Sequence, residues 1–472
     1  MSIFQGLNIF RTTSSEGMYI GITVDLRHSM FSSGHPNSCF AIKEVFQDHD
    51  VVFLDQGDKE WWDDVNSLKD KLKIVKISDC KAPFDLVIEV SFFLSAIQRK
   101  TLTKHSVWYN RKPGVFSDLE ASVYGCRPEG RDLEGIDAIW LADIFTSSED
   151  ISYMKTLYPS VAIEIVPWIW TPTLVESHRE AMKSPVWLNS FVTVPESTNW
   201  SIHCLESNIS NTSSCTLPLV ILKHAIESRP FPVSNIHLHN TEILAKNTFF
   251  KENIQAHTDI SGITYNLVGR QRTIDWVYDP KSIVVSHSRF INLKLGNLES
   301  AWVGIPVVHN NEVLRNLGNG LEKTYYRSNS VTGAAEAIHR IVFETQSIPY
   351  IQSLDGLTEL RNKILLEFHP DVHMARWTEA FNKVIRTPVV HSSISIKTTR
   401  VSILFTDMWE NFNEAYNFFT LALQASNLEV QGYSVETLPM DLIPDLVLFG
   451  PFGETYKTLP DEWSKVHYTG EN

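Results

Sequence analysis

The sequence is short of the features that usually give a quick assignment. Its five cysteines, Cys39, Cys80, Cys126, Cys204 and Cys215, are widely spaced and include no Cys-x-x-Cys pair. Neither a disulfide framework nor a structural zinc site is indicated, and reduced, mostly buried thiols are expected. Basic residues are outnumbered, 41 Lys and Arg against 55 Asp and Glu, for a net charge of −14. This argues against nucleic acid as the main partner, because duplex binding needs a Lys/Arg face to displace counterions. No stretch of about 18 apolar residues occurs, so no membrane insertion is expected. Residues Met1 to Met18 carry no apolar run behind a basic end in the manner of a secretory signal, and the expected location is cytoplasmic. A Gly-x-Gly-x-x-Gly run after an early strand is also absent, which sets aside a dinucleotide oxidoreductase.

What is present is ordinary globular composition, 43% hydrophobic and 20% charged over 472 residues. A single core stops growing near about 250–300 residues, so two or three domains are expected. The first part repeats short apolar runs, Tyr19–Val24, Val51–Leu54, Lys73–Ile77, Leu86–Val90, Ser106–Tyr109 and Ala138–Leu141. Runs apolar on both faces read as buried parallel strands. Helical patterns at Ser38–Gln47 and Ser147–Leu157 lie between them, and a further strand in Val161–Trp170 is interrupted at Pro167. The alternation restarts with strands at Trp200–Leu205, Asn235–His239, Thr264–Val268, Ser282–Ser286 and Pro306–His309. Helices are expected at Pro218–Glu227, Glu242–Lys251, Leu293–Trp302 and Val331–Glu344, with a helical close at Ser353–Arg386. The fold class is therefore α/β, with two Rossmann-like domains, 1–185 and 186–390, facing a cleft. A third module, 391–472, follows a Pro/Ser/Thr linker. From His391 onward it holds 4 basic against 11 acidic residues, and it reads as a small, partial α/β unit with strands at Val401–Phe405, Leu446–Phe449 and Val466–Tyr468 and a helix at Ala415–Ser426.

Several polar residues fall where a parallel sheet presents ligand contacts, at the carboxyl ends of its strands. Asp25, His28 and His35 follow the first strand, and Asp25 and the two histidines are candidate acceptor bases. Glu89 sits inside the apolar run Leu86–Phe93, where a carboxylate needs a partner or a raised pKa, and it is the preferred base. Asn110 ends another strand, and Trp168 is placed to stack on a sugar ring, although core packing is its plainer role. In the second half, the loop Glu206–Cys215 offers Asn208 and Ser210 at a helix N-terminus, where the dipole favours a diphosphate. Simple N-capping is the alternative. Arg270 and Arg272, after the strand ending at Val268, are positioned to neutralise a leaving diphosphate. Such a scheme calls for no metal ion.

The stretch Ile283–Asn310, IVVSHSRFINLKLGNLESAWVGIPVVHN, resembles the nucleotide-sugar site of GT-B glycosyltransferases. The resemblance implies that Glu299, early on a helix that a Gly-Ile-Pro turn follows, bonds the donor ribose. The first glutamate of the retaining families' Glu-x7-Glu pattern would fall on Ile291 and is absent. FDLVIEV, VWYN, IDAIWL, IVPWIWTP, ESNIS, HLHN and VVSH occur in the same order over roughly residues 19–345 in a family of bacterial proteins that look like GT-B glycosyltransferases. This places His287 and Asn240 at the donor side and Asn110 and Trp168 at the acceptor side. The tail, with Phe405-Thr-Asp-Met-Trp409 and His467-Tyr-Thr-Gly-Glu-Asn472, resembles the start of α-1,3-fucosyltransferases. Chained modules of this sort resemble the large glycan-building enzymes of algal giant viruses, and imply a piece of a longer enzyme.

The function implied is hexosyl transfer from a nucleotide sugar, a UDP-hexose such as UDP-galactose, to an oligosaccharide or glycoprotein acceptor, with no obligatory cofactor. The alternative is a non-catalytic glycan-binding or assembly protein on the same scaffold, supported by the apolar Ile291.

Overall fold

The computed structural model describes residues 17–26, 34–57, 72–80, 83–124, 131–181, 199–208, 212–242, 244–269, 271, 281–386, 399–408, 412–414, 419–420, 428–439, 442–450 and 452–467. Three wholly parallel sheets are built from them. The first joins β1 (Tyr19–Thr23), β2 (Asp50–Asp55), β3 (Ile74–Lys76), β4 (Phe84–Glu89), β5 (Thr103–Asn110), β6 (Ala138–Ala142) and β7 (Ala162–Val166) in the order β3-β2-β1-β4-β5-β6-β7. Its inner strands are buried on both faces, which explains why they read as continuous apolar runs. The chain leaves β7 at Pro167, which has no N–H to continue a ladder.

The second sheet takes β8 (Trp200–Cys204), β9 (Val233–Leu238), β10 (Thr264–Leu267), β11 (Ser282–Val285) and β12 (Val307–Val308) in the order β10-β9-β8-β11-β12. In each of these two sheets the strand order reverses once, between β1 and β4 and between β8 and β11. A doubly wound sheet opens a crevice at that point, beyond the carboxyl ends of the strands. These are the two Rossmann-like domains expected from the sequence. The third sheet, β13 (Thr399–Thr406), β14 (Leu428–Tyr433), β15 (Leu446–Phe449) and β16 (Lys465–His467), has the order β14-β13-β15-β16. Among the described residues it buries Ile403, Leu404, Phe405, Val430, Val447 and Leu448, and leaves Ile443 and Phe452 exposed.

Helices that position the crevices are α1 (Gly34–Val45), α2 (Ala96–Leu102), α3 (Gly114–Tyr124), α4 (Ser148–Leu157), α5 (Thr173–Ala181), α6 (Thr216–Ser228), α7 (Leu295–Trp302), α8 (Glu312–Leu317), α9 (Val331–Phe343), α10 (Leu354–Phe368) and α11 (Pro370–Arg386). No helix among the described residues is long and apolar enough to cross a membrane. The helix expected at Glu242–Lys251 is replaced by a short 3-10 turn, Leu244–Lys246, and a wide turn of helix at Phe250–Gln255. The Asn247 side chain accepts from the Phe250 amide and starts the second segment afresh. Strand β14 and helices α2, α3 and α5 lie where no element was expected. The helix expected at Ala415–Ser426 lies mostly outside the described residues.

The last helix of the second half returns to the first. α11 packs on α1 and β7, burying Trp377, Ala380, Phe381 and Val384. The Trp377 ring meets Trp140, Tyr109 and Phe46 edge-on at 5.6, 5.2 and 6.3 Å, and its Nε1–H donates to the Pro167 carbonyl at 3.0 Å. Its neighbour segment is tied by the Trp170 amide, which donates to the Phe368 carbonyl at 2.9 Å. The segment after β7 and the junction of α10 and α11 therefore run side by side. Trp377→Ala should cost about 3–5 kcal/mol of folding stability, read as a lowered urea midpoint. A loss below about 1 kcal/mol would mean that α11 is not the clasp that the packing indicates.

Candidate functional site

The crevice of the second sheet is organised around one carboxylate. Glu206, fully buried, lies two residues beyond β8, and Ser286 and His287 lie directly beyond β11. Its Oε1 accepts from the Ser286 hydroxyl at 3.1 Å and the His287 amide at 2.9 Å. Its Oε2 accepts from the Ser213 hydroxyl at 2.5 Å and forms an ion pair with Lys294. The Lys294 ammonium also donates to the Ser286 hydroxyl at 3.2 Å and the His287 carbonyl at 2.9 Å. Burial pulls the Lys294 pKa down, and the Glu206 charge works against that pull.

The backbone of Glu206 is held as firmly as its side chain. Asn208 and Asn240, both in left-handed conformation at φ 53° and 54°, direct their side-chain amides onto its carbonyl at 3.3 and 2.9 Å. Asparagine tolerates that conformation better than most residues. Asn208 also donates to the His239 carbonyl at 2.8 Å, and its Oδ1 accepts from the Cys215 amide at 2.8 Å, at the start of α6. These two asparagines, expected at the donor, thus have their amides engaged in shaping the loop.

Lys294 is also the N-cap residue of α7, and no side chain caps that helix. The Leu295 and Gly296 amides have no hydrogen-bond partner among the described residues, and the helix dipole makes this end attractive to anions. Glu299 follows in the second turn of α7 and is buried, 8% exposed, unlike the solvated glutamate of an ordinary amphipathic helix. The helix stops at Gly304, whose φ of 87° suits glycine and turns the chain into β12. Ile291 is an apolar side chain packed against the core.

His287 is 4% exposed. Its Nδ1 lies 3.0 Å from the Tyr326 hydroxyl, which donates to the Ser286 carbonyl at 2.9 Å. That geometry assigns the proton to Nδ1 and leaves Nε2 an acceptor with no hydrogen-bond partner among the described residues. Burial pushes the His287 pKa down to about 4. His309, fully buried, is pushed down to about 4 for the same reason, and its Nδ1 accepts from the Asn311 amide at 3.2 Å. Burial also pushes the Cys39 and Cys215 thiols up to about 12, so neither is a thiolate nucleophile at neutral pH.

On the first sheet, Asp25 and His35 are half-buried beside the β1 end and in the first turn of α1. Asn110 ends β5, with Oδ1 accepting from the Lys112 amide at 3.2 Å and Nδ2 buried with no hydrogen-bond partner among the described residues. The next residue, Arg111, reaches across to α1, donating to the Gly34 carbonyl at 2.9 Å and the Ser38 hydroxyl at 3.0 Å. A Cβ added at Gly34 would lie 3.2 Å from Leu295 Cδ2 and 3.9 Å from Arg111 Nη1. The first turns of α1 and α7 therefore meet at the base of the cleft. Phe116 of α3 stacks on Phe290 at 4.0 Å, and the Asn292 side chain donates to the Ile144 carbonyl at 2.6 Å.

Two expectations are corrected. Glu89 is not available as a base: Arg99 Nε and Nη2 grip its two oxygens at 2.7 and 2.8 Å, and the Ser106 hydroxyl and Leu94 amide complete the shell at 2.6 and 2.9 Å. A buried carboxylate saturated in this way serves the fold. Trp168 takes the core-packing role: it is 7% exposed, with Phe368 and Phe145 edge-on at 5.1 and 6.4 Å. His28, Ser210, Arg270 and Arg272 lie outside the described residues. Lys294 and Arg111 were missed, although one directly precedes a helix and the other directly follows a strand end. Among the described residues no cluster of three His, Cys, Asp or Glu is placed to hold a metal ion. The triplet Asp48-His49-Asp50 opens β2 at the opposite sheet edge, with Asp50 paired to Lys73.

Two outcomes follow from this geometry. Lys294→Met leaves the Glu206 charge buried and unpaired, and should cost about 3–5 kcal/mol; Glu206→Gln combined with Lys294→Met should recover a good part of that in urea unfolding, whereas strict additivity would contradict the pairing. The buried histidines set an acid limb. An unfolded imidazole protonates near about pH 6.5 and these two near 4, so the unfolded chain binds more protons in between. Stability should be complete above about pH 6.5 and fall towards pH 4, by up to about 3 kcal/mol for His309 and by less for His287, which solvent screens in part. A midpoint that stays constant from pH 7 to 5 would contradict their neutral burial.

Comparison with curated protein sequences finds no match. Solved structures do match in fold. An alpha-glucosyltransferase in complex with UDP and a 13-mer DNA superposes with a TM-score of 0.51 at 11% identity, over 78% of this chain and 99% of that one. Sucrose-phosphate synthase from Thermosynechococcus elongatus matches with a TM-score of 0.48 at 11% identity, over 77% and 98%. HepE from Anabaena, in complex with UDP and glucose, matches with a TM-score of 0.46 at 11% identity, over 77% and 99%. At this identity the likeness is one of fold, the two-domain GT-B arrangement. A family profile matches the sequence itself over residues 20–383, which span both large sheets and the returning helix, and the chain accordingly belongs to the family described as proteins of unknown function, DUF2827.

Proposed function

We propose that the chain transfers a hexosyl group from a nucleotide-sugar donor, a UDP-hexose such as UDP-galactose, to a hydroxyl of an oligosaccharide or glycoprotein acceptor. The observation that carries this reading is the uncapped start of α7 at the β8/β11 crevice, braced by Glu206 and Lys294 and facing the crevice of the first sheet. An uncapped helix start held between two crevices suits a diphosphate. Glu299 on the same helix bonds the ribose, and His287 faces the donor as a neutral acceptor. The preference for uridine is carried over from the alpha-glucosyltransferase of the same fold, which is in complex with UDP.

Transfer needs the departing diphosphate stabilised and, for inversion, a proton taken from the acceptor hydroxyl. Helix amides and basic side chains serve the first need. With Glu89 engaged by Arg99, Asp25, His28 and His35 are the base candidates. The resemblance of the tail extends the reading to a chained glycan-building enzyme of the viral capsid-glycan kind acting in the cytoplasm, with a fucosyltransferase-like unit.

A second reading, a glycan-binding protein without turnover, is favoured by Ile291 and by the sealed Glu89. A thermal-shift screen against UDP, GDP, CMP and their sugars, with and without Mn²⁺, separates the two when paired with mass-spectrometric detection of released nucleotide. A ligand at 100 times its Kd adds about 2.7 kcal/mol. The transferase reading expects a shift with UDP-hexose, indifferent to metal, weakened about tenfold in Kd by Glu299→Ala, together with release of UDP. Stabilisation without release supports the non-catalytic reading, and no response to any nucleotide overturns the donor site.

A further inference from the structure

Arg111 is a cation in an unusual position. Its guanidinium is half-buried at the end of β5, and its hydrogen bonds go to the Gly34 carbonyl and the Ser38 hydroxyl, both neutral. It has no carboxylate partner among the described residues. Three other basic groups drawn into the two halves do have carboxylate partners: Arg99 with Glu89, Arg131 with Asp118, Lys294 with Glu206. A guanidinium taken partly out of water without a counter-charge is costly unless an anion completes the site.

Its surroundings add to that demand. Arg111 lies against the first turn of α1, the positive end of a 12-residue helix. The Gly34 contact with Leu295 brings up the uncapped start of α7 from the other half. Beside the start of α7, the charge of Glu206 is already taken up by Lys294. Two helix starts and one unpaired guanidinium thus converge at the base of the cleft, where the chemistry that fits is a phosphate oxyanion, which the planar donor fork of arginine matches in two bonds.

We propose that Arg111 is the phosphate-binding residue of the cleft, contributed by the first half and placed to meet the diphosphate of a nucleotide sugar held on the second half. The proposal rests on the donor reading for the identity of the phosphate but not for its chemistry. A phosphate carried by the acceptor presents the same oxyanion. Because Arg111 and the start of α7 belong to different halves, an anion between them draws the halves together, and binding and closure are one event.

The test is calorimetric titration of the full chain with inorganic pyrophosphate, UDP and glucose 6-phosphate, on wild type, Arg111→Gln and Arg111→Lys. The glutamine variant retains a donor for Gly34 and Ser38 without the charge, and the lysine variant retains the charge without the fork. The expected result is a 10- to 100-fold loss, roughly the value of a charged hydrogen bond, for pyrophosphate and UDP in Arg111→Gln, with a smaller loss in Arg111→Lys. Thermal midpoints of the unliganded variants should stay close to wild type. Loss confined to glucose 6-phosphate keeps Arg111 as the phosphate residue but moves the phosphate to the acceptor. Pyrophosphate binding that needs Arg111, with no added affinity for UDP, sinks the nucleotide reading and leaves this one standing. Equal affinities in all three proteins, or no binding by wild type, overturn the proposal.

Discussion

The buried carboxylate of Glu206 is the constraint on which the second crevice depends. Four side-chain or backbone groups converge on its two oxygens, from the loop after β8, the loop after β11 and the cap of α7. Two asparagines in left-handed conformation fix its carbonyl. A charge in such a place is expensive to desolvate, and it is retained only because every lone pair is used. The return on that cost is geometric. One network locks two strand ends and a helix start in register, so the open amides of α7 sit at a fixed place above the sheet.

The two halves are joined by a different kind of interaction. Aromatic packing dominates at the crossings, where Trp377 is wedged among Trp140, Tyr109 and Phe46, and Trp170 meets Trp302 edge-on at 5.3 Å. Polar ties run alongside: the Trp302 indole donates to Glu176 at 2.8 Å, Asn292 to the Ile144 carbonyl and Trp377 to the Pro167 carbonyl, and Lys383 pairs with Glu164 at 2.8 Å. At the mouth of the cleft Phe290 adopts a left-handed φ of 60°, uncommon for a bulky residue, and stacks on Phe116 of the other half. Strain of this sort is kept only where surrounding contacts over-determine it.

The fold was legible because its strands are buried on both faces, and an apolar run such as Leu86–Val90 has few other uses. Helices of mixed character were harder: α2, Ala-Ile-Gln-Arg-Lys-Thr-Leu, carries no apolar stripe, and Gln98 and Ser95 cap it reciprocally. That omission misdirected the reading of Glu89. A carboxylate in an apolar strand signals either function or an ion pair, and the partner that decides between them, Arg99, sits on the unrecognised helix. The helical placement of Glu299 was readable locally, because helix period and the Gly-Ile-Pro turn fix where that helix stops. Lys294 and Arg111 were invisible for the opposite reason. Each is one basic residue among 41, and its meaning lies in what stands across a crevice, Glu206 for one and no carboxylate for the other. Pairings over such sequence distances leave no mark on local composition.

The central claim, that the Glu206-braced crevice between β8 and β11 binds the donor diphosphate against the start of α7, is tested most directly by a crystal structure of the full chain with UDP. The account predicts phosphate oxygens within hydrogen-bonding distance of the Leu295 and Gly296 amides, with the Glu206–Lys294 pair intact. Nucleotide found instead at the β13/β15 crevice of the third sheet, or a displaced Lys294 with Glu206 turned towards solvent, would contradict it.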